Sequence, residues 1–434
     1  MAFPKISPIK YFYFFKGISA FINLLIVILA AKVLAIEDFS VYSFLMSSAG
    51  VLAAISTLGI PQLAVRKINY LVIENDKEEI SHWISNSLFI QSVMTCICII
   101  LYSIILYFKG ISILNIGLFA VFCLCSTAIV FFSEVLRGFQ KTLEAVIYLE
   151  LLKNLLVILP VLLFYFALIN LSLFDILLIT SASSLIIVYI CLLKIIPYNY
   201  YKYFFSYLKE LKKIFVNSRS RIILLESTPF LALAVLAYVQ VNDSFLLGYF
   251  VENKDLALII LAFKICSILV VIFNSTTLWF STYIAQYLAT KETDKLIRVT
   301  HKIAYIQIIA SLGFSFFLYF AFPYLIRYVG LQYKNTGDLI IIYSIGFVLT
   351  SFFSSPATIL AYANQEKIVM KLLIINFLLY IVISYFIYPY FGLISIPLVY
   401  SIVNFLYNIA LSLSVKKYFN FIPILFLSKS NLSK

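Results

Sequence analysis

The sequence predicts an all-α polytopic membrane protein of about twelve transmembrane helices, arranged in two six-helix lobes. Three observations carry this: the composition, the recurrence of long apolar segments, and the distribution of basic residues between them. Of 434 residues, 63% are hydrophobic and 12% charged, and the mean hydropathy is +1.05. A typical soluble domain has roughly a quarter of its residues charged. Segments of about 20 apolar residues, the length a hydrocarbon core of about 30 Å requires, recur along the whole chain. They are uninterrupted rather than alternating, which selects helices over a barrel.

Taken in order, the spans of the first lobe (1–196) are 11–34, 40–59, 84–107, 113–135, 144–168 and 175–196. The first, bracketed by Lys16 and Lys32, could pass for a signal-peptide core with AAKVLA as cleavage site. Removing it would spoil the charge pattern described below, so it is read as a helix. Residues 197–221 form a long basic connection in which Tyr198, Tyr200, Tyr201, Tyr203, Phe204 and Phe205 mix with lysines. It reads either as a solvated linker or as an amphipathic segment lying on an anionic leaflet. The second lobe (222–415) holds spans 222–248, 257–286, 303–325, 338–362, 372–389 and 393–415, followed by a basic cytoplasmic tail, 416–434. Pro160, Pro229, Pro356 and Pro397 fall inside these spans, where a missing N–H permits bending.

With the N-terminus inside, the cytoplasmic segments hold most of the 32 basic residues, including Arg66, Lys67, those from Lys202 to Arg221 and those from Lys291 to Lys302. The outer loops hold only Lys109, Lys254, Arg327 and Lys334. By the positive-inside rule both termini are cytoplasmic. The net charge of +13 is thereby a matter of topology, and nucleic acid is not an expected partner.

Cys96, Cys98, Cys123, Cys125, Cys191 and Cys266 all lie in apolar segments, and positions two apart do not share a helix face. They read as packing residues, not metal ligands. The two histidines, His82 and His301, fall in expected cytoplasmic loops. No metal, cofactor or catalytic centre is expected, so the chain does not read as an enzyme.

The halves echo each other. AKVLAIEDFSVYSF, from Ala31, aligns with GYFVENKDLALIIL, from Gly248, which sets Asp38 opposite Asp255, 217 positions on. Duplication at half the chain length is common in transporters.

Several stretches together resemble the polysaccharide flippases (Wzx type) of the multidrug/oligosaccharidyl-lipid/polysaccharide exporter superfamily. They are GISAFINLLIVILAAKVLAIEDFSVYSF with STLGIPQLAVRK, SEVLRGFQK, VNDSFLLGYFVENKDLALIILAFKI, LAYANQEK and YFGLISIPLVYS. The resemblance implies two six-helix bundles forming a V around a central cavity that opens alternately to each side. Its cargo would be an undecaprenyl-diphosphate-linked oligosaccharide, an O-antigen or capsule repeat unit, crossing the bacterial inner membrane. Membrane lipids, a coupling ion (proton or sodium) and the polysaccharide polymerase complex are the other implied partners. The scarcity of glycine, 12 residues, departs from the family pattern.

The same superfamily contains MATE-like drug and cation antiporters, which call for embedded carboxylates, whereas a lipid diphosphate calls for embedded cations. A polysaccharide polymerase of the same pathway would carry a large outer loop, and the outer loops here are short.

Lys264, Ser267, Ser275, Thr282 and Gln286 fall within a wedge of about 100° on the eighth helix. Lys264 stands where the related flippases carry a basic residue; the alternative is a lysine snorkelling to the interface. Lys16, Ser19 and Asn23 form a shorter stripe on the first helix, and Lys32, about 160° away, reads as an anchor. Lys153 lies in the fifth helix three residues after Glu150, close enough for a neutralising pair. Glu226, Gln240 and Ser244 share a face of the seventh helix with Asp243 at its edge. The expected substrate-binding set is therefore Lys264, Ser267, Ser275, Lys16, Asn23, Lys153 and Gln240. Asp243 and Glu226 are the expected coupling-ion or sugar contacts, or else helix-packing groups.

Overall fold

Hydrocarbon offers no water to satisfy a backbone N–H or C=O, so a spanning chain must pair those groups internally. The structure, a computed structural model, describes residues 6–167, 171–195, 222–227, 231, 244–363 and 365–424. These are helical nearly throughout, with one isolated bridge, Phe353 to Ile424, outside the helices.

The helices are α1 (Ile6–Val33), α2 (Ile36–Ser56), α3 (Ile60–Ile73), α4 (Lys77–Phe108) and α5 (Ile113–Gly138). Next come α6 (Thr142–Phe166), which contains a π-helical stretch over Ala145–Leu151, and α7 (Leu173–Ile190). Short helical pieces at 222–227 and Ser244–Leu247 precede α8 (Asn253–Cys266), α9 (Ile268–Ala289) and α10 (Thr293–Val329). The chain continues through α11 (Thr336–Ser351), α12 (Pro356–Tyr362), α13 (Glu366–Phe391) and α14 (Ser395–Phe419).

Among the described residues, 9 helical stretches are long and apolar enough to cross a membrane. One of them, Glu366–Phe419, contains both α13 and α14, and the shorter apolar α11 is additional. Most of the expected seventh span lies outside the described residues, so a total of twelve is not reached by counting.

Several boundaries differ from the expected ones, each for a local reason. The third span begins at Lys77 rather than 84, because the Asp76 carboxylate caps it by accepting from the Glu79 N–H at 2.9 Å. The eighth span is broken at Ser267, and the tenth at 352–355, where Ser355 turns left-handed (φ 51°). Pro356 is consequently the first residue of α12 and Pro397 sits in the first turn of α14, where an N–H has no intrahelical partner in any case. The helix α3 was not expected; its Ile60, Ala64, Ile68 and Leu71 form a buried stripe at helical spacing.

The chain divides into two compact units, Met1–Phe245 and Leu246–Lys434. The joint expected at 197–221 lies outside the described residues. Ser244 joins the first unit through a 2.5 Å hydrogen bond with Ser47, and the Phe245 ring packs on Tyr102. The core of this unit is built from α3, α4 and α5, with Trp83 stacked on Phe131. Here α3 meets α5 so closely that a Cβ at Gly138 would stand 2.8 Å from Ile68 Cβ.

In the second unit the rings of Phe263, Tyr343, Tyr380 and Tyr400 interlock, with centroids 5.4 to 5.7 Å apart where they pair. A Cβ at Gly346 would collide with the Ser401 hydroxyl, so α11 and α14 pack backbone to backbone. After α14 the chain returns to the connection between α11 and α12, where the Ser354 N–H donates to the Pro423 carbonyl at 3.0 Å.

The two units repeat one helical program. Helices α2 and α8 begin 217 positions apart, each after a residue with nearly the same backbone angles, Ala35 (−59°, 154°) and Glu252 (−61°, 145°). Helices α4 and α10 begin 216 positions apart, each preceded by a left-handed residue, Asn75 or Lys291. The echo in the sequence therefore extends to the starts of these two helix pairs.

Candidate functional site

In the first unit, charged residues of α1, α5 and α6 come together. The Arg137 guanidinium donates to Glu134 Oε1 at 2.7 Å and lies 3.8 Å from Glu150 Oε1, so it ties both carboxylates. Lys16 acts electrostatically on Glu134, and its ammonium stands 5.6 Å from the Phe12 ring centroid. Lys153 interacts with Glu150 across a longer gap and places its ammonium 5.9 Å from the Phe122 ring. The expected neutralising pair of Glu150 with Lys153 is replaced by Glu150 with Arg137. The reason is local: the π-helical stretch that ends at Leu151 changes the register in which Glu150 and Lys153 would have faced each other. Three cations and two carboxylates share the cluster, leaving one positive charge in excess.

Asn154 fixes this arrangement, because its amide donates to the Ser19 carbonyl at 3.0 Å and approaches Ser19 Oγ at 3.1 Å. That bond clamps α1 to α6 one residue after Lys153 and three after Lys16. Ser19 is thus a buried packing group, whereas Asn23, one turn on, is exposed.

Glu226 borders a small chamber of about 140 Å³ in the same unit, lined by Lys67, Glu79, His82, Trp83, Asn86 and the two isoleucines at 222 and 223. His82 belongs to α4 rather than to a loop, and His301 likewise lies within α10. The Trp83 indole N–H is buried without an acceptor among the described residues. Gln240 and Asp243 lie outside the described residues.

In the second unit Lys264 is half-buried in the last turn of α8. Ser267, at the break, donates its hydroxyl to the Lys264 carbonyl at 2.7 Å and so satisfies a backbone group the helix end leaves open. The helix is interrupted at the single residue Ser267, between Lys264 on α8 and Ser275, which is half-buried on α9. A second polar ladder joins α9, α10 and α12: Gln307 Nε2 approaches the Phe273 carbonyl (3.4 Å) and Thr277 Oγ1 (3.5 Å), and Thr277 pairs with Ser355 at 2.5 Å.

Sequence reasoning did not single out Glu134 or the seam of Ser87, Gln91 and Thr95, all buried on α4. The signals were present, as an acid–base pair at i,i+3 in SEVLRGFQK and as polar residues recurring every fourth position.

A family model for polysaccharide biosynthesis proteins matches residues 10–278, more than half of the chain. The chain belongs to this family. No curated protein matches it in sequence. Among solved structures, an inward-facing multidrug resistance MATE family transporter of the MOP superfamily superposes with TM-score 0.70 at 15% identity, covering 93% of this chain and 94% of its own. An outward-facing MATE family transporter of that superfamily gives TM-score 0.64 at 14% identity, with 95% of each chain covered. A MOP superfamily transporter from Pyrococcus furiosus, described as having a binding pocket of reversed polarity that suggests a different function, also gives 0.64, at 12% identity with 95% of each chain covered. This member of the polysaccharide biosynthesis family therefore has the fold of the MOP transporters and is a multi-pass membrane protein. A conspicuous charged feature of its first unit is the cation-rich cluster of α1, α5 and α6.

Proposed function

We propose that the protein is a flippase for an undecaprenyl-diphosphate-linked oligosaccharide, moving it across the bacterial inner membrane by alternating access, with both termini cytoplasmic. The observation that carries this reading is the state of the carboxylates in the charge cluster of the first unit. In the first unit Glu134 and Glu150 are both engaged by Arg137. Lys16 and Lys153 are held nearby by the Asn154–Ser19 clamp. A drug-cation antiporter needs carboxylates available to its cargo, whereas a diphosphate losing its hydration needs cations and donors in its place. Membership of a polysaccharide biosynthesis family supports the same cargo class.

In this reading Lys16 and Lys153 meet the diphosphate in the first unit and Lys264 supplies the cation of α8. Asn23, Ser275 and Gln240 contact sugar hydroxyls, and Ser267 shapes the helix end that carries Lys264. Glu226 and Asp243 contact the coupling ion, a proton or sodium, or the sugar. The protein transports rather than transforms its cargo, and delivers it to a polysaccharide polymerase complex. The test is deletion of the gene in its own host. Surface glycan should disappear while lipid-linked repeat units accumulate on the inner face. Intact surface glycan with raised drug sensitivity would instead establish the antiporter.

A further inference from the structure

In the second unit a groove of about 950 Å³ opens between α10 and α11. That is at the upper end of the volumes of small-molecule sites, about 300 to 1,000 Å³. On α10 its lining runs from Leu312 to Arg327, about 22 Å at the α-helical rise, somewhat more than one leaflet of a hydrocarbon core about 30 Å thick. The wall is apolar, with Leu318, Ile341, Ile345 and Leu349 among its residues, and it would accept any hydrocarbon chain.

Its end is not indifferent. Arg327, Lys334 and Asp338 border it together. All three are exposed, and none forms an ion pair among the described residues. Arg327, in the last turn of α10, and Lys334 are also two of the four basic residues expected on the outer side, where the positive-inside bias disfavours them. The helices are pinned at this end, since a Cβ at Gly337 would run into the Phe322 ring. The charged mouth therefore has a fixed frame.

We propose that this groove holds one phosphatidylethanolamine-type phospholipid. Its acyl chains lie along the apolar wall, its phosphodiester meets Arg327 and Lys334, and its ammonium meets Asp338. Two cations beside one carboxylate complement a zwitterionic head. A diphosphate would gain the same cations but would also face the Asp338 carboxylate, and a phosphatidylglycerol head would leave that carboxylate without a partner. The inference does not depend on which cargo the protein moves.

The test is native mass spectrometry of the full-length protein exchanged into equimolar phosphatidylethanolamine and phosphatidylglycerol. The wild type should retain one phosphatidylethanolamine in preference to phosphatidylglycerol. The double variant Arg327→Gln/Lys334→Gln should lose retained phospholipid about tenfold or more, the scale of one charge-assisted hydrogen bond. Asp338→Asn should keep phospholipid but lose the preference for ethanolamine. Ile341→Trp, which fills the wall without touching the charges, should also release the lipid. Equal retention of the two phospholipids by the wild type, retention by the double variant at the wild-type level, or displacement of phospholipid by added undecaprenyl phosphate would each overturn the assignment. Because the readout is bound lipid, it stands or falls separately from any measurement of glycan export.

Discussion

Arg137 offers the sharpest test of the charge cluster. Replacing it with alanine removes the 2.7 Å bond to Glu134 and the 3.8 Å contact with Glu150, and leaves two carboxylates without their main cation. A hydrogen bond to a charged group is worth about 1.5 to 3 kcal/mol, and the longer pair, with side chains 29% and 34% exposed, adds about 0.2 to 1 kcal/mol. The expected loss is thus about 2 to 3 kcal/mol once partial exposure is allowed for. At roughly 2 to 4 °C per kcal/mol for a body of this size, Tm should fall by about 4 to 12 °C. Thermal unfolding of the detergent-purified protein, followed by size-exclusion chromatography, reads this directly. Arg137→Met/Glu134→Gln should recover much of the lost Tm, because it removes one stranded charge along with its partner. An unchanged Tm in Arg137→Ala would refute the view that this residue holds the carboxylates.

Lys264→Ala should reduce glycan export by roughly 10- to 150-fold at equal membrane protein level, the range of one charge-assisted hydrogen bond, while Lys264→Arg retains much of it. Equal export by Lys264→Ala and wild type would remove this residue from the site. Lys16→Ala should be milder in the same export assay, since Arg137 and Lys153 remain in its cluster. Gly346→Leu should lower the yield of folded protein sharply, because the new side chain would enter the Ser401 position and overpacking costs about 1 to 3 kcal/mol or more. A normal yield and Tm would show that α11 and α14 can separate without penalty.

The spans were legible because hydrocarbon imposes a single rule, about 20 apolar residues each, which composition alone reveals. What escaped notice was local. The apolar stripe of α3 has helical spacing, but Arg66 and Lys67 in its middle read as loop charge. The start of α4 was signalled by Asp76 followed three residues later by Glu79, a capping pattern masked by the polar composition around it. The break at Ser267 has no glycine or proline to mark it, and follows from a hydroxyl closing onto the Lys264 carbonyl. Of the embedded charges, Lys16, Lys153 and Lys264 stood out because lysine is rare in apolar runs. Glu134 did not, since it lies next to a helix end and its pairing with Arg137 depends on how α5 and α6 meet.

The short return of the chain after α14 has a consequence for biogenesis. The connection between α11 and α12 is closed by Pro423 and Ile424, which pair with Ser354 and Phe353. When α11 leaves the ribosome those partners do not yet exist, and α12, α13 and α14 must be inserted first. During that interval the backbone at 352–355 must find water or a temporary partner. The pairing of 353–354 with 423–424 is therefore a late one, formed only once α14 is in place.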